Sequence, residues 1–180
     1  MKKRITFIYP KMVMGGAEKV LIRMLSCMNP EEYDINVILT KAGGELESEL
    51  PDYVKVEYCT VSSPVEDLKK IKIPSFVKGL YYRIRIRTAK TYEEKVIGHQ
   101  RYIFCRIVFQ RTMLLYIHTW NFLSICLAAR CKAKKKAFWV HTGFRDNLNL
   151  KLYTKLLNSF DKVFCVSEFA QTQFKSLFPM

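Results

Sequence analysis

The residues of this chain whose types and positions suggest chemistry lie where apolar segments end. Gly15 and Gly16 follow the apolar run 4–9 and directly precede a helical pattern, while His118 and His141 each close another apolar run. The first amides of a helix and its positive dipole end attract an anion, and glycine lets a ligand approach the backbone closely. An imidazole can donate or accept a hydrogen bond. The pattern predicts a phosphate-type ligand near two histidines, against the alternative of a tight turn and two ordinary polar residues.

Several kinds of chemistry lack their sequence signatures. The glycine pair fits neither G-x-G-x-x-G nor a Walker P-loop, which disfavours a dinucleotide or ATP site. Neither histidine has an acidic partner in a hydrolase-like arrangement, so no catalytic residue is assigned. The six cysteines (27, 59, 105, 126, 131 and 165) form no C-x-x-C pair and no Cys/His metal spacing. We therefore expect no metal site and no bound cofactor.

Alternating strand and helix patterns must position these residues. The predicted strands are 4–9, 33–40, 54–59, 112–118, 137–141 and 162–167. The predicted helices are 17–28, a short one at 45–50, 122–130, 149–160 and one from Glu168 to Leu177, with a Gly43-Gly44 turn after the second strand. Apolar strands separated by helices predict an α/β fold: a single Rossmann-like domain whose parallel sheet carries helices on both faces. Ligands of such folds bind beyond the carboxyl ends of the strands.

The middle of the chain is strongly basic. The formal net charge is +14, and 63–111 carries twelve basic residues against four acids, with apolar and aromatic residues interleaved. Within it, "VKGLYYRIRIR" contains Lys78, Arg83, Arg85 and Arg87. We predict a basic, aromatic-rich helical insert that meets anionic membrane lipid or an anionic acceptor. The alternatives are solvated helix faces and, for the alternating arginines, a strand.

Length and composition indicate one globular domain in the cytoplasm. The 180 residues suffice for one domain with a core but are few for two. The apolar run from Ile5 to Tyr9 is too short for a signal peptide, and the stretch 113–129 is too polar to span a membrane. We expect six reduced thiols and a cytoplasmic protein, peripheral at the inner face of the membrane where the basic insert meets lipid.

Four blocks carry a resemblance to a known family: "GGAEKVLIRML", "YDINVILTKAGGELESELP", "FWVHTGF" and "FDKVFCVSEFAQTQFKSLFP". In this order and spacing they resemble the N-terminal, acceptor-side half of family 4 glycosyltransferases, which are retaining enzymes of the GT-B fold. The resemblance covers most of the chain outside roughly 63–111. It implies a hexosyltransferase that moves a sugar from a nucleotide-sugar (UDP- or GDP-sugar) to a glycan or lipid-linked acceptor in capsule, lipopolysaccharide or related polysaccharide synthesis.

The resemblance also implies roles for individual residues. Gly15 and Gly16 match the glycine-rich loop that lies near the donor diphosphate. His141 matches a histidine that contacts the transferred sugar, and His118 matches one that lines the acceptor side. Ser167 matches the family's "VS-E" strand end, where the serine either borders the cleft or caps the helix.

The chain departs from the family in two respects. Thr119 and Tyr116 replace the acid and the first histidine of the acceptor-side H-x-H-D/E pattern. The second GT-B domain, which supplies most of the nucleotide site, would begin after Met180, so we expect one half of a GT-B fold with the C-terminal nucleotide-binding domain absent. That half would be a shortened protein, a gene fragment or one subunit of a split enzyme, inactive by itself.

Two other functional classes stay open as alternatives. One is a non-catalytic binding or scaffold subunit that recruits a separate C-terminal-domain partner. The other is a basic nucleic-acid-binding protein, motivated by net charge alone. No RRM, KH or helix-turn-helix pattern supports the latter, and the positive residues concentrate in one insert, so we expect no nucleic-acid partner.

Overall fold

A computed structural model describes residues 2–59, 112–117, 122–141 and 148–179. These residues form an α/β unit with a six-stranded sheet, and every neighbouring pair of strands is parallel. By its internal contacts the chain divides into 1–60 with 109–180 and a second unit, 61–108. That second unit and the predicted insert at 63–111 lie outside the described residues.

The elements alternate along the chain as the apolar pattern predicts. The strands are β1 (Lys3–Tyr9), β2 (Tyr33–Leu39), β3 (Lys55–Tyr58), β4 (Thr112–Ile117), β5 (Ala133–Val140) and β6 (Lys162–Cys165). The helices are α1 (Gly16–Ser26), α2 (Phe122–Arg130), α3 (Leu150–Leu157) and α4 (Glu168–Leu177), with a one-turn 3-10 helix at Glu47–Glu49. The predicted α/β class and parallel sheet are confirmed.

The strand order is β3-β2-β1-β4-β5-β6. Strands β2 and β3 are added on one side of β1 and strands β4 to β6 on the other, so the direction in which the chain builds the sheet reverses between β1 and β4. This is the order of doubly wound sheets, which bind ligands at the crevice where the order reverses. Right-handed crossovers put α1, which leads from β1 to β2, and α2, which leads from β4 to β5, on opposite faces. The fold thus places the turn after β1 and the ends of β4 and β5 around one crevice.

The core explains why these segments are strands. The last five residues of β1 and of β2 are all buried, so both faces of these strands are covered. On one face, Leu21 and Leu25 of α1 belong to the same apolar cluster as Phe7 and Val37, which are register partners in β1 and β2. Residues on the opposite face, such as Ile8, are equally buried. Fully buried strands need no alternation, which is why the sequence shows continuous apolar runs.

Strand β5 begins earlier than predicted. It starts at Ala133 rather than at residue 137, because its backbone already pairs with β4 there, with Thr112 opposite Ala133. The added residues include three lysines in a row, which apolar patterning excludes from a buried strand. Exposure of Lys134 and Lys135 at the amino edge of the sheet resolves the conflict.

Helix ends are set by local capping. Helix α3 is shorter than the predicted 149–160, since Asn149 is its N-cap and accepts a hydrogen bond from the Leu152 amide at 3.2 Å. The predicted helix at 45–50 is only the single turn Glu47–Glu49. Within the described part of the chain, no helix is both long and apolar enough to cross a membrane.

Candidate functional site

The β1–α1 turn lies at the carboxyl edge of the sheet beside the reversal of strand order. Gly15 is the N-cap of α1 in an extended conformation (φ −153°, ψ 159°), and α1 begins at Gly16. Neither glycine uses the left-handed conformation that glycine permits, because Gly16 is helical and Gly15 has negative φ. No side chain caps the helix at Gly15. The predicted glycine pair therefore does lie at a helix start, where amides and the dipole face the crevice.

The two glycines differ in what surrounds them. A Cβ built on Gly16 would meet no atom, so the space beside it is open to a ligand. A Cβ on Gly15 would collide with the carboxylate of Glu18, which folds back over the helix start. The chain's own carboxylate thus lies where the helix dipole favours an external anion. Sequence reasoning assigned Glu18 no role, although its first-turn position was the available signal.

The segment that follows β2 is hydrogen-bonded to the residues that lead into the β1–α1 turn. The amide of Thr40 donates to the carbonyl of Tyr9 at 3.0 Å, and the amide of Lys41 donates to Pro10 at 2.8 Å. Farther along, the Leu46 amide donates to the Met12 carbonyl at 3.0 Å. These bonds continue the parallel pairing of β1 and β2 into the loops, so the position of the turn depends on residues 40–46.

Gly44 is the residue of that segment that sequence reasoning missed. A Cβ at this position would overlap the backbone carbonyl, carbon and Cα of Met12. Its neighbour Gly43 is the left-handed residue, with φ 77°, and the Glu47 carboxylate accepts from the Gly43 amide at 3.0 Å. A turn does begin at Gly44, whose carbonyl accepts from the Glu47 amide at 3.1 Å, and the missing side chain lets its backbone touch that of Met12. The signal in the sequence was the doubled glycine, which does not distinguish a turn from a close approach.

His141 directly follows the last residue of β5 and is half-buried. Its ring stacks on that of Trp139, two residues earlier on the same face of the strand, with centroids 5.6 Å apart and planes inclined by 24°. Burial lowers the pKa of His141 below its usual 6.5, so the imidazole is neutral at pH 7. A neutral imidazole has one donor and one acceptor nitrogen, which suits hydrogen bonding to hydroxyl groups rather than charge neutralisation.

The aromatic contact continues onto β6. The Trp139 ring lies 5.8 Å from that of Phe164, which sits opposite it in the β5–β6 register and is exposed. A row of rings therefore runs from His141 towards the outer strand. Phe164 was not singled out by sequence reasoning, because an apolar residue in a strand normally indicates core.

Ser167 is the N-cap of α4, at the carboxyl edge after β6. Its hydroxyl oxygen accepts a hydrogen bond from the Ala170 amide at 3.2 Å, which confirms the predicted cap. Accepting that bond uses a lone pair and not the hydroxyl proton, so Ser167 can still donate to a ligand. The side chain is exposed, which is consistent with the border of a cleft.

The other predicted site residues lie outside the described residues. His118 comes directly after the last residue of β4, and Lys78, Arg83, Arg85 and Arg87 belong to the basic middle. In the described ranges, no group of three metal-binding side chains could hold an ion.

The geometry brings Gly15, Gly16 and His141 to one edge of the sheet. Strand β4 alone separates β1 from β5, so these two strands lie roughly 10 Å apart across the sheet. Amides at a helix start can bind an anion, and a neutral imidazole beside them can bind a hydroxyl. The arrangement suits a small molecule with a phosphate group at one end and hydroxyl groups at the other.

Comparison with known proteins leaves the geometry as the basis for assigning function. No protein-family model matches the chain, and no curated protein matches it significantly.

Proposed function

We propose that this chain is the N-terminal, acceptor-side domain of a GT-B glycosyltransferase. The complete enzyme would transfer a sugar, with retention, from a UDP- or GDP-sugar to a glycan or lipid-linked acceptor in cell-surface polysaccharide synthesis. The observation that carries the proposal is the convergence of the Gly15-Gly16 helix start and His141 at the crevice where the strand order reverses. The family resemblance of the four sequence blocks supports it.

Each residue would bind or orient rather than react. The amides at the start of α1 would meet the donor diphosphate, with the helix dipole favouring its charge. The neutral imidazole of His141, held by stacking on Trp139, would hydrogen-bond a hydroxyl of the transferred sugar. The Ser167 hydroxyl would border the acceptor side, together with His118 by resemblance.

The proposal includes a second domain opposite the crevice, because large apolar side chains are exposed at the same edge of the sheet. Met14 in the β1–α1 turn is 64% exposed and Phe169 in the first turn of α4 is 67% exposed, and Val13 and Val166 are exposed beside them. Such apolar rims mark interaction surfaces. In the proposed enzyme a second domain closes over this rim and supplies the basic groups that stabilise the leaving diphosphate.

Replacing Gly16 with proline tests the phosphate contact. Proline is accepted at the first position of a helix and fits after the extended Gly15, but it removes one amide donor. We expect binding of UDP or GDP to weaken by about tenfold, since a hydrogen bond to a charged group is lost. The measurement is a titration followed by backbone NMR, in which amides around residues 15–17 should shift.

The matched control is Gly16→Ala, which keeps the amide and places its Cβ in open space. It should bind the nucleotide as the wild-type chain does. The proposal fails if nucleotide at millimolar concentration shifts no amide near Gly15, or if proline and alanine variants bind alike.

We expect the 180-residue chain by itself to transfer no sugar. In the proposal, the helix start and His141 hydrogen-bond the donor, and the groups that offset charge on the leaving diphosphate belong to a second domain. Purified protein should give no labelled product from UDP- or GDP-sugars with glycan or lipid-linked acceptors. Transfer by the pure chain would contradict its assignment as one half of an enzyme.

The exposed apolar rim also favours a second candidate, a binding subunit that recruits a separate catalytic chain. In that case adding a purified C-terminal-domain partner should restore transfer, and Phe169→Ser should reduce this restoration without unfolding the protein. In a domain of one continuous enzyme, a separately supplied partner would have no such effect.

We also propose that the basic middle of the chain, residues 63–111, binds anionic membrane lipid. Its test is binding of Arg83→Gln, Arg85→Gln and Arg87→Gln variants to anionic vesicles at low and high salt.

A further inference from the structure

Three aromatic rings form a row across β5 and β6, near the carboxyl ends of these strands. His141 stacks on Trp139 at 5.6 Å, and the Trp139 ring lies 5.8 Å from that of Phe164, its register partner on β6. The Val166 amide donates to the Val140 carbonyl at 3.2 Å, which extends the strand pairing past the end of β6. We call His141, Trp139 and Phe164 the aromatic row.

The aromatic row is fixed at its middle and open at its outer end. Trp139 is half-buried and packs against the apolar cluster that α1 forms with β1 and β2. The Phe164 ring is tilted by 43° to the Trp139 ring, and Phe164 is 44% exposed. A ring that already rests on an anchored neighbour loses little conformational freedom when a ligand binds to its exposed side.

The exposure of Phe164 calls for an explanation beyond folding. Single exposed apolar residues are common in proteins. Here, however, Val166 is also 47% exposed two residues later, and Phe164 adjoins a stack that ends in the imidazole of His141. Ligand sites combine apolar and aromatic walls with a few polar groups that fix the orientation of the ligand. The outer end of the aromatic row has this composition.

The groups along the aromatic row suit a neutral sugar. One face of a sugar ring carries C–H groups, which are attracted to the negatively charged face of an aromatic ring. The hydroxyl groups of the sugar need hydrogen-bond partners, and the neutral imidazole of His141 has one donor and one acceptor nitrogen. The exposed Ser167, three residues after Phe164, can also donate its hydroxyl proton, because its oxygen is the acceptor of the capping bond. An acyl chain would not use these hydrogen-bonding groups, and a phosphate would not use the rings.

We propose that Phe164 stacks against the terminal sugar unit of the acceptor. This inference rests on the proposed function and narrows it, because the acceptor is then recognised through a sugar rather than through a lipid chain. Phe164 and His141 are one strand and two residues apart, which is roughly 8 Å. Transfer requires the acceptor sugar to lie beside the transferred sugar. A sugar stacked on Phe164 would lie beside the one that His141 contacts.

Binding of simple glycosides to the full chain tests the stacking contact. Methyl β-D-glucopyranoside or methyl β-D-galactopyranoside, at high millimolar concentration, should shift the side-chain NMR signals of Trp139 and Phe164. Magnetisation from the saturated protein should reach the ring C–H protons of the sugar. Phe164→Leu should weaken binding by about fivefold, since leucine keeps apolar volume but lacks the aromatic face. Phe164→Trp should retain binding, because it keeps that face.

The matched control is Tyr58→Leu on β3, at the other end of the strand order, because Tyr58 is also 44% exposed. It should bind the glycosides as the wild-type chain does. The proposal is overturned if neither glycoside shifts the Trp139 and Phe164 signals. It is also overturned if Phe164→Leu, with an unchanged circular dichroism melting curve, binds like the wild type, or if Tyr58→Leu loses as much binding.

Two further results separate the stacking contact from its alternatives. With octyl β-D-glucopyranoside, magnetisation that reaches the octyl chain alone would overturn the proposal, since the aromatic row would then bind a lipid chain. Nucleotide binding at Gly16 without glycoside binding would overturn the stacking contact alone. Glycoside binding without nucleotide binding would contradict the proposed glycosyltransferase function, whereas the contact between Phe164 and a sugar would stand.

Discussion

Replacing Gly44 with alanine should lower the free energy of unfolding by about 3 kcal/mol, because the added methyl group would enter the backbone of Met12. Backbone atoms cannot rotate away as a side chain can, so the whole β1–α1 turn must shift. For a chain of this size the loss corresponds to a melting temperature roughly 6–12 °C lower. Thermal unfolding followed by circular dichroism measures it.

The matched substitution is Gly16→Ala, at the start of α1, where the added methyl group would meet no other atom. It should leave the melting temperature unchanged or raise it, since alanine stabilises a helix relative to glycine by up to about 1 kcal/mol. Equal melting temperatures for the two alanine variants would show that the close approach of Gly44 to Met12 does not hold the turn. The nucleotide titration should also weaken for Gly44→Ala, because the helix start is displaced.

Replacing Glu18 with glutamine should tighten binding of inorganic diphosphate by about thirtyfold. The carboxylate lies against Gly15 at the helix start, so a bound diphosphate would sit beside a like charge. Two like-charge pairs about 4 Å apart in a water-exposed site cost about 1 kcal/mol each, which together correspond to about thirtyfold in affinity. Glutamine removes the charge with little change in shape. Calorimetric titration at low salt measures the affinity.

The same substitution should slightly destabilise the free protein. A negative side chain in the first turn of a helix stabilises it by about 0.3–1 kcal/mol through the helix dipole. Higher affinity together with lower stability is the signature of a residue that occupies the anion position itself. Glu31→Gln, an equal charge change at the opposite edge of the sheet, should leave affinity unaltered. Weaker diphosphate binding by Glu18→Gln would mean that Glu18 supports the ligand instead of competing with it.

The sequence predicted the strands well because parallel strands are buried on both faces. Continuous apolar runs such as 4–9 and 33–40 have few other ways to exclude water, and β1 and β2 lie where the runs do. The start of β5 was predicted wrongly because Lys134 to Lys136 look polar in the sequence. Their strand conformation comes from pairing with β4, which no local pattern records.

For the candidate site residues, the sequence predicted their places in the fold but not their contacts. Strand ends and a helix start can be located from patterns, so the places of Gly15, Gly16 and His141 at the ends of these elements were predicted. The stacking of His141 on Trp139 and the row to Phe164 depend on which strands are neighbours. The capping bond of Ser167 was predictable because it is local, joining residues three apart.

The sequence alone determined the alternation of elements and the edge at which polar residues gather, because burial of apolar surface acts on local patterns. Tertiary structure alone decided that Gly44 must be glycine and that Phe164 lies beside Trp139. Each of these depends on contacts between loops or strands whose spacing is set by the order β3-β2-β1-β4-β5-β6. That order comes from packing and crossover handedness acting over the whole sheet, which no stretch of sequence contains by itself.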